Sequence, residues 1–331
     1  MILDAIISTL KERYASPFEM VSDGIMGMNQ RNVNYIGRYN KRNLFPLVDN
    51  KLLTKDIAMK HKVNTPSLIG VVSNQQDIKK VVTTLGTHTE FCIKPAHGSG
   101  GKGILVIKDR LNDSFIKTSG QAISEHDLQR HLTNILAGLF SLGGKADIAL
   151  IEELIHFDNV FSGYSYDGVP DTRVIVFQGF PVMCMMRLST KDSDGKANLH
   201  QGAVGVGICV RTGRAVRAVQ HNEPIHLHPD TDKNLLELKV PHWLEVLKLA
   251  SSCYDMSGLG YIGTDIVLDR DKGPMLLELN ARPGLAIQIC NNAGLLPRLR
   301  LIEALTKKHR LTMEERVAFS MQHFGIYKDS L

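Results

Sequence analysis

Apolar residues recur along the 331-residue chain at two distinct periods. Helical spacing of Ile2, Ala5, Ile6 and Leu10 predicts a packed amphipathic helix over residues 1–10. The same period, carried by Leu52, Leu53, Ile57 and Met59, predicts a helix over 49–63. Further helices are expected over 75–85, 124–142, 240–256 and 295–308, with Ser124 as an N-cap. Short apolar, β-branched runs predict strands at 67–72, 91–95, 104–107, 148–155, 172–178, 181–187, 203–210, 261–268 and 274–280. Turns are expected at Gly179 and over 269–273, and polar connections over 24–34 and 189–202. Strands and helices mix without a strict βαβ rhythm, so the expected class is α/β (α+β) with antiparallel or mixed sheets.

A chain of this length is enough for two domains. The net charge of +5 is spread thinly, with clusters only at Lys41–Arg42 and from Arg211 to Arg217. These clusters read as solvated surface or as attraction for anions such as nucleotide phosphates. Aromatic residues make up only 6% of the chain, which argues against a nucleic-acid surface. The five cysteines (Cys92, Cys184, Cys209, Cys253 and Cys290) form no C-x-x-C pair, and most sit in apolar runs. That fits a reducing cytoplasm and not a disulfide framework or zinc site. No apolar stretch approaches the ~18 residues that span a bilayer.

Two stretches carry candidate chemistry. Gly98, Gly100 and Gly103 spell G-x-G-x-x-G, with Ser99, Gly101 and Lys102 between them. A dinucleotide fingerprint would open a helix, whereas the apolar run at 104–107 reads as strand. A P-loop would place Ser or Thr where Gly103 stands. What remains is a glycine hairpin between strands, able to offer backbone N–H groups to phosphates, or an ordinary flexible hairpin. Lys94 lies just before it and Lys102 at its tip. In the second stretch Glu278 and Asn280, two apart, share a strand face, and a turn near Asp271 sets Asp265 opposite Glu278. Three hard oxygen donors then converge as magnesium requires, while Leu277 and Leu279 are expected to point into the core. The alternative is a solvent-facing hairpin with chance acids. Glu153 and Leu154 at a strand end could flank an adenine, and Asp171 and Arg173 share one strand face. Arg187, Lys196, Asn198, His200 and Arg282 are further polar residues near strand ends, each read as structural or functional.

Taken in order, these stretches resemble the ATP-grasp superfamily, and most of all the α-L-glutamate ligase-related proteins. The likeness runs from about Gly27 to Gly284 and includes residues 26–35, 46–55 and 277–284. The resemblance implies two sheet lobes with ATP in the cleft between them. A short segment over 1–50 would stand in place of the α/β domain that true glutamate ligases carry there. A small lobe with the glycine loop would cover 51–155, and a large lobe with the metal site 156–331. By residue, Lys55 and Lys94 match the nucleotide-contacting lysines, Gly98 to Gly103 the phosphate loop, and Glu153 and Leu154 the adenine hinge. Asp171 matches an acidic nucleotide contact followed by Arg173. Lys196 and Asn198 match the terminal-phosphate loop, and Asp265, Glu278 and Asn280 the ligands of magnesium, or of manganese in its place. The implied chemistry makes an acyl phosphate from a carboxylate and ATP, then lets an amine displace phosphate. Arg187, Arg282 and Arg173 are the candidate catalytic cations. Expected partners are small-molecule or peptide acids and amines, with no nucleic acid and no membrane span; a homo-oligomer is compatible with the chain. Two rival readings are a kinase-like phosphotransferase, for which H-R-D and D-F-G signatures are missing, and a silent nucleotide-binding module.

Overall fold

The computed structural model describes residues 16–98, 100–111, 114–141, 143–306 and 310–325. The expected helix over 1–10 and the loop residue Ser99 lie outside them.

Two sheets form, and every pairing in both is antiparallel. The first contains β1 (Leu68–Val72), β2 (Phe91–Pro95), β3 (Leu105–Leu111), β4 (Ser114–Lys117), β5 (Ala122–Ser124) and β6 (Ala149–Glu152). Its order is β1-β6-β2-β3-β4-β5, so the late strand β6 is inserted between β1 and β2. The helix α1 (Lys51–Lys60) precedes this sheet, and α2 (Glu125–Leu136) packs on it through Leu128, Leu132 and Ile135, all fully buried. These side chains share a core with Phe91, Ile93, Ile107 and Phe115. Burying each is worth roughly 1.5–3 kcal/mol before ordering costs. A reciprocal box of Ser124 and Asp127 starts α2, as the sequence predicts. The helix stops at Leu136 and not near 142, because Gly138 turns the chain with φ 81° where a Cβ would meet the Lys145 carbonyl at 2.3 Å.

The second sheet has β7 (Asp171–Phe177), β8 (Phe180–Leu188), β9 (Val204–Ile208), β10 (Ala215–Gln220), β11 (Glu223–Ile225), β12 (Tyr261–Asp269) and β13 (Gly273–Asn280). They run in the order β11-β10-β9-β8-β7-β12-β13. Across β7, β8 and β12 every residue but Arg187 is buried, so these strands show no alternation of buried and exposed positions. The helix α3 (Trp243–Ser257) lies across β7, β8, β12 and β13, and α4 (Ile287–Asn291) across β8, β9 and β10. Two more helices, α5 (Leu296–Thr306) and α6 (Met313–His323), complete the packing on β8.

Several expected elements shift. The helix over 49–63 starts at Lys51, because the Asn50 side chain accepts from the N–H groups of Leu52 and Leu53 and fixes the N-terminus there. Its Ala58, with Val63 just beyond, packs into the core of the second sheet. The helix over 75–85 is two short helices, Gln75–Lys79 and Val81–Leu85, broken at Lys80. The polar stretch 24–34 is no loop. It carries a helical turn at Met28–Gln30 that runs into a π-helical turn at Arg31–Ile36. Tyr35 and Tyr39 from this segment pack against Phe177 and Tyr261, with Tyr35 edge-on to Phe177 at 5.6 Å between ring centroids. Asn40 then clamps the hairpin of β12 and β13: its amide donates to the carbonyls of Tyr261 at 2.7 Å and Ala281 at 3.2 Å and accepts from the Tyr261 N–H at 2.8 Å.

Candidate functional site

Three buried charges meet where α1, β2 and β6 converge. Lys55 is 5% exposed, Lys94 7% and Glu152 3%. In the β2–β6 ladder Cys92 faces Glu152, so Lys94 lies diagonally across from the acid on the same face. Lys55 Nζ is 2.8 Å from Glu152 Oε1, and Lys94 Nζ contacts Oε2. Lys55 also donates to the Pro66 carbonyl. The space among these groups and Leu276 to Leu279 is about 20 Å³, room for about one water. Burial pulls the Lys55 ammonium below its ordinary value. At Lys94 burial acts the same way, but Glu152 outweighs it and holds the ammonium above. Burial pushes the Glu152 carboxyl up, yet Lys94 and Lys55 together hold it below its ordinary value.

A carboxyl lowered by folding contributes stability above its unfolded pKa of about 4.3 and loses it as pH falls through the folded value. Glu152→Gln should therefore cost roughly 1–3 kcal/mol at neutral pH. Denaturant titrations should show the gap to the wild type narrowing as pH falls below about 4.3. A gap independent of pH would mean that Glu152 is not ionised in the fold.

The hairpin of β12 and β13 faces this cluster. Asp265 stands directly opposite Glu278, one residue beyond the Leu277 that the register at the turn would give it. The ladder then bulges: Ile266 pairs with Leu276, leaving Leu277 as the extra residue. Leu276 and Leu279 are buried for that reason, while the core position expected for Leu277 is only partly buried. Lys51 ties the hairpin to the glycine loop, with Nζ 2.7 Å from the Gly98 carbonyl and 3.3 Å from Glu278 Oε1. Beyond them opens a cleft of about 470 Å³, lined by Asp49, Lys51, His97, Gly98, Glu278, Asn280 and Arg282 among others.

The expected metal donors have unequal freedom. The Glu278 side chain is 41% exposed and lines the cleft. Asn280 lines it too, and its Oδ1 accepts from the Arg282 N–H at 2.8 Å. Asp265 is enclosed. Arg173 grips it with Nε and Nη2, the latter at 2.7 Å, and Arg187 Nη2 lies 2.7 Å from Oδ2. A carboxylate offers about four lone-pair sites, so three are taken and one remains. Glu278 and Asn280 place two hard oxygens at the cleft, a set suited to a cation that keeps most of its own water and phosphate ligands, as magnesium does; Asp265 lines neither cavity.

Arg187 and Arg173, two of the candidate catalytic cations, are both held by acids. Arg187 forks onto Asp171 at 2.7 and 2.8 Å, and with Arg173 and Asp265 they form a quartet of two acids and two bases in which all but Arg187 are buried. The register explains it: Asp171 faces Arg187 across β7–β8, and Arg173 faces Asp265 across β7–β12. Asp171 is therefore an ion-pair partner in this arrangement. Burial pushes its carboxyl up to about 6 against the pull of Arg187, while at Asp265 the two arginines outweigh burial and hold it low. Arg282 does line the cleft, over the Phe45 ring at 4.6 Å and 3.9 Å from Asp49.

The remaining expected residues scatter. Gly100, Gly101 and Gly103 all have positive φ; a Cβ would meet nothing at the first two, whereas at Gly103 it would strike Phe140. Lys102 is exposed at the hairpin tip. Glu153 reaches across to Lys272 in the β12–β13 turn, and Leu154 is partly buried. Lys196 pairs with Asp194 at 2.9 Å, and Asn198 caps the short turn Leu199–Gln201; neither lines the two cavities above. Glu152 and Lys51 were not among the expected site residues. The first of two acids closing the apolar run of β6 is the one signal that could have marked Glu152, since a buried carboxylate needs partners.

Among the described residues no helix is long and apolar enough to cross a membrane. No curated protein matches the chain. Among solved structures, D-cycloserine synthetase DcsG is similar at 14% identity and TM-score 0.45, over 82% of this chain and 73% of that one. The ATP-grasp ligase PsnB is similar at 15% identity and TM-score 0.42, over 81% of this chain but only 62% of PsnB. D-alanine–D-alanine ligase from Bacillus anthracis is similar at 14% identity and TM-score 0.41, over 91% of this chain and 76% of that one. A family model described as sugar-transfer associated ATP-grasp matches residues 30–304. With two antiparallel sheets and that match over most of its length, the chain has the ATP-grasp fold and belongs to the sugar-transfer associated ATP-grasp family.

Proposed function

We propose that this protein is an ATP-dependent ligase that joins a carboxylate to an amine through an acyl phosphate. The observation that carries the reading is the cleft itself, where the glycine loop, Lys51, Glu278, Asn280 and Arg282 meet beside the buried Lys55–Glu152–Lys94 cluster. Phosphoryl transfer asks little of a protein beyond positioning and charge neutralisation, so no side-chain nucleophile is needed. Lys55 and Lys94 would exchange part of their pairing with Glu152 for phosphate oxygens. Backbone N–H groups of the glycine loop would hold the phosphates without side-chain obstruction. Glu278 and Asn280, with Asp265 behind them, would hold magnesium. When bound, the ion supplies positive charge at the phosphate oxygens. Arg282 offers a fork to the substrate carboxylate or to the phosphoryl group in transit. The substrates would be amino acids or peptides, glutamate among them, met in the cytosol.

ATP with magnesium should raise the melting temperature clearly, and ATP alone only modestly. At a hundredfold excess over Kd the stabilisation is ~2.7 kcal/mol. ADP release should then depend on an added carboxylate and rise further with an amine. Binding without any release would favour a silent module, and phosphate turning up on an acceptor hydroxyl would favour a kinase; either result sinks the ligase reading.

A further inference from the structure

His97 follows Lys94-Pro95-Ala96 at the mouth of the glycine hairpin and lines the cleft with Glu278, Asn280 and Arg282. Its ring is anchored. Nδ1 meets Asp147 Oδ1 at 2.7 Å, and the His97 backbone N–H donates to both oxygens of the same carboxylate, at 3.2 and 3.0 Å. Asp147 is itself held, because Oδ1 also accepts the Ile148 N–H at 2.8 Å and the side chain is 0% exposed. A carboxylate on Nδ1 fixes that nitrogen as the protonated one of the neutral imidazole and leaves the lone pair on Nε2. Among the described residues Nε2 has no hydrogen-bond partner, and the His97 side chain is 44% exposed. One nitrogen is thus spent on a buried acid, and the other is left without a protein partner on a side chain that lines the cleft.

We propose that His97 is the base that deprotonates the incoming amine, and that Asp147 is the residue that positions it. The proposal rests on the ligase reading above. An amine arrives at neutral pH as an ammonium ion, which has no lone pair to attack with. Nε2 takes one proton from it. The freed nitrogen pair forms the C–N bond at the acyl carbon while the C–O bond to phosphate breaks. The second amine proton leaves with the phosphate, and the imidazolium returns its proton to solvent through its exposed edge. Geometry comes first for such a base, and a positioned side chain supplies about 10²–10⁴-fold.

Hydroxylamine separates the roles, because it is unprotonated at neutral pH and needs no base. The full chain with magnesium and ATP would receive the twenty amino acids pooled as acids, with either their own amino groups or hydroxylamine as acceptor. In His97→Gln, amide formation among the amino acids should fall ~100-fold, while hydroxamate formation stays within about threefold of the wild type. Asp147→Asn should lower the turnover with amino acids and leave the Michaelis constant for ATP unchanged. Long-range proton–nitrogen NMR of the ligand-free protein should find the His97 proton on Nδ1, and in Asp147→Asn a mixture of tautomers. Equal losses with both acceptors, or a wild-type proton on Nε2, would overturn the assignment. Should no amino acid serve as acceptor, the tautomer alone decides. If the wild type makes no hydroxamate at all, the ligase reading falls, whatever the state of His97.

Discussion

Arg187→Met should lower the unfolding free energy by about 3–5 kcal/mol, the cost of stranding buried charge. The arginine serves two carboxylates at once, Asp171 through a fork and Asp265 through Nη2. Burial alone would lower its pKa, but the two acids hold it far above its ordinary value. Without it Asp171, already raised, has no opposing cation across its own strand pair and takes up a proton more readily. The sign follows: a carboxyl whose folded pKa is raised favours the fold below that pKa and loses the advantage as pH rises through it. The deficit of Arg187→Met should therefore be larger at pH 8 than at pH 5, when both proteins are compared by urea denaturation at each pH. Arg187→Lys should recover only part of the loss, since an ammonium cannot fork onto two acids. A deficit below about 1 kcal/mol in the methionine variant would mean that the quartet does not hold these strands together.

Glu278→Gln should reduce magnesium-dependent ADP release by ~10²–10³-fold, the scale of removing one preorganised electrostatic group. It should do so with little change in stability. The side chain is half-exposed and its bond to Lys51 is a partly solvated ion pair, worth about 0–1 kcal/mol. A pair of measurements, the melting temperature and ADP release across a magnesium titration, distinguishes this from unfolding. Unchanged release would remove Glu278 from the metal site, and with it the assignment of the β12–β13 hairpin as the catalytic edge.

What the chain discloses on reading depends on whether a feature is local. The β12–β13 hairpin is legible because two apolar runs flank a charged turn ending in Gly273; the turn's register alone would set Asp265 opposite Leu277, and the bulge moves it to Glu278. The bulge at Leu277 is not legible, since nothing in the run from Met275 to Leu279 marks the extra residue. Strands β10 and β11 go unseen because Arg214, Arg217, Gln220 and Glu223 interrupt any apolar period, and only the edge of an existing sheet makes strands of them. The helix α6 had its signal in Thr312 and Glu315, which form a reciprocal cap, but its apolar face is thin. The pairing of Arg173 and Arg187 with acids is hidden in the sequence for a longer-range reason. No spacing along the chain reveals that two strand registers will set each beside an acid. Glu152 was obscured by its neighbour Glu153, and the lysines that neutralise it come from other elements.

Asn40 has a consequence for anyone trimming this protein. One amide side chain satisfies the N–H and carbonyl of Tyr261, where β12 begins, and the carbonyl of Ala281, just after β13 ends. Both ends of the β12–β13 hairpin are thus stitched by a residue that belongs to neither sheet. A shortened version beginning at α1 would keep every strand and every proposed ligand and still lose the stitch, leaving three backbone groups to find water in a place packed with aromatic rings. The smallest useful fragment is therefore set by Asn40 and the tyrosines before it, and not by the first residue of the proposed site.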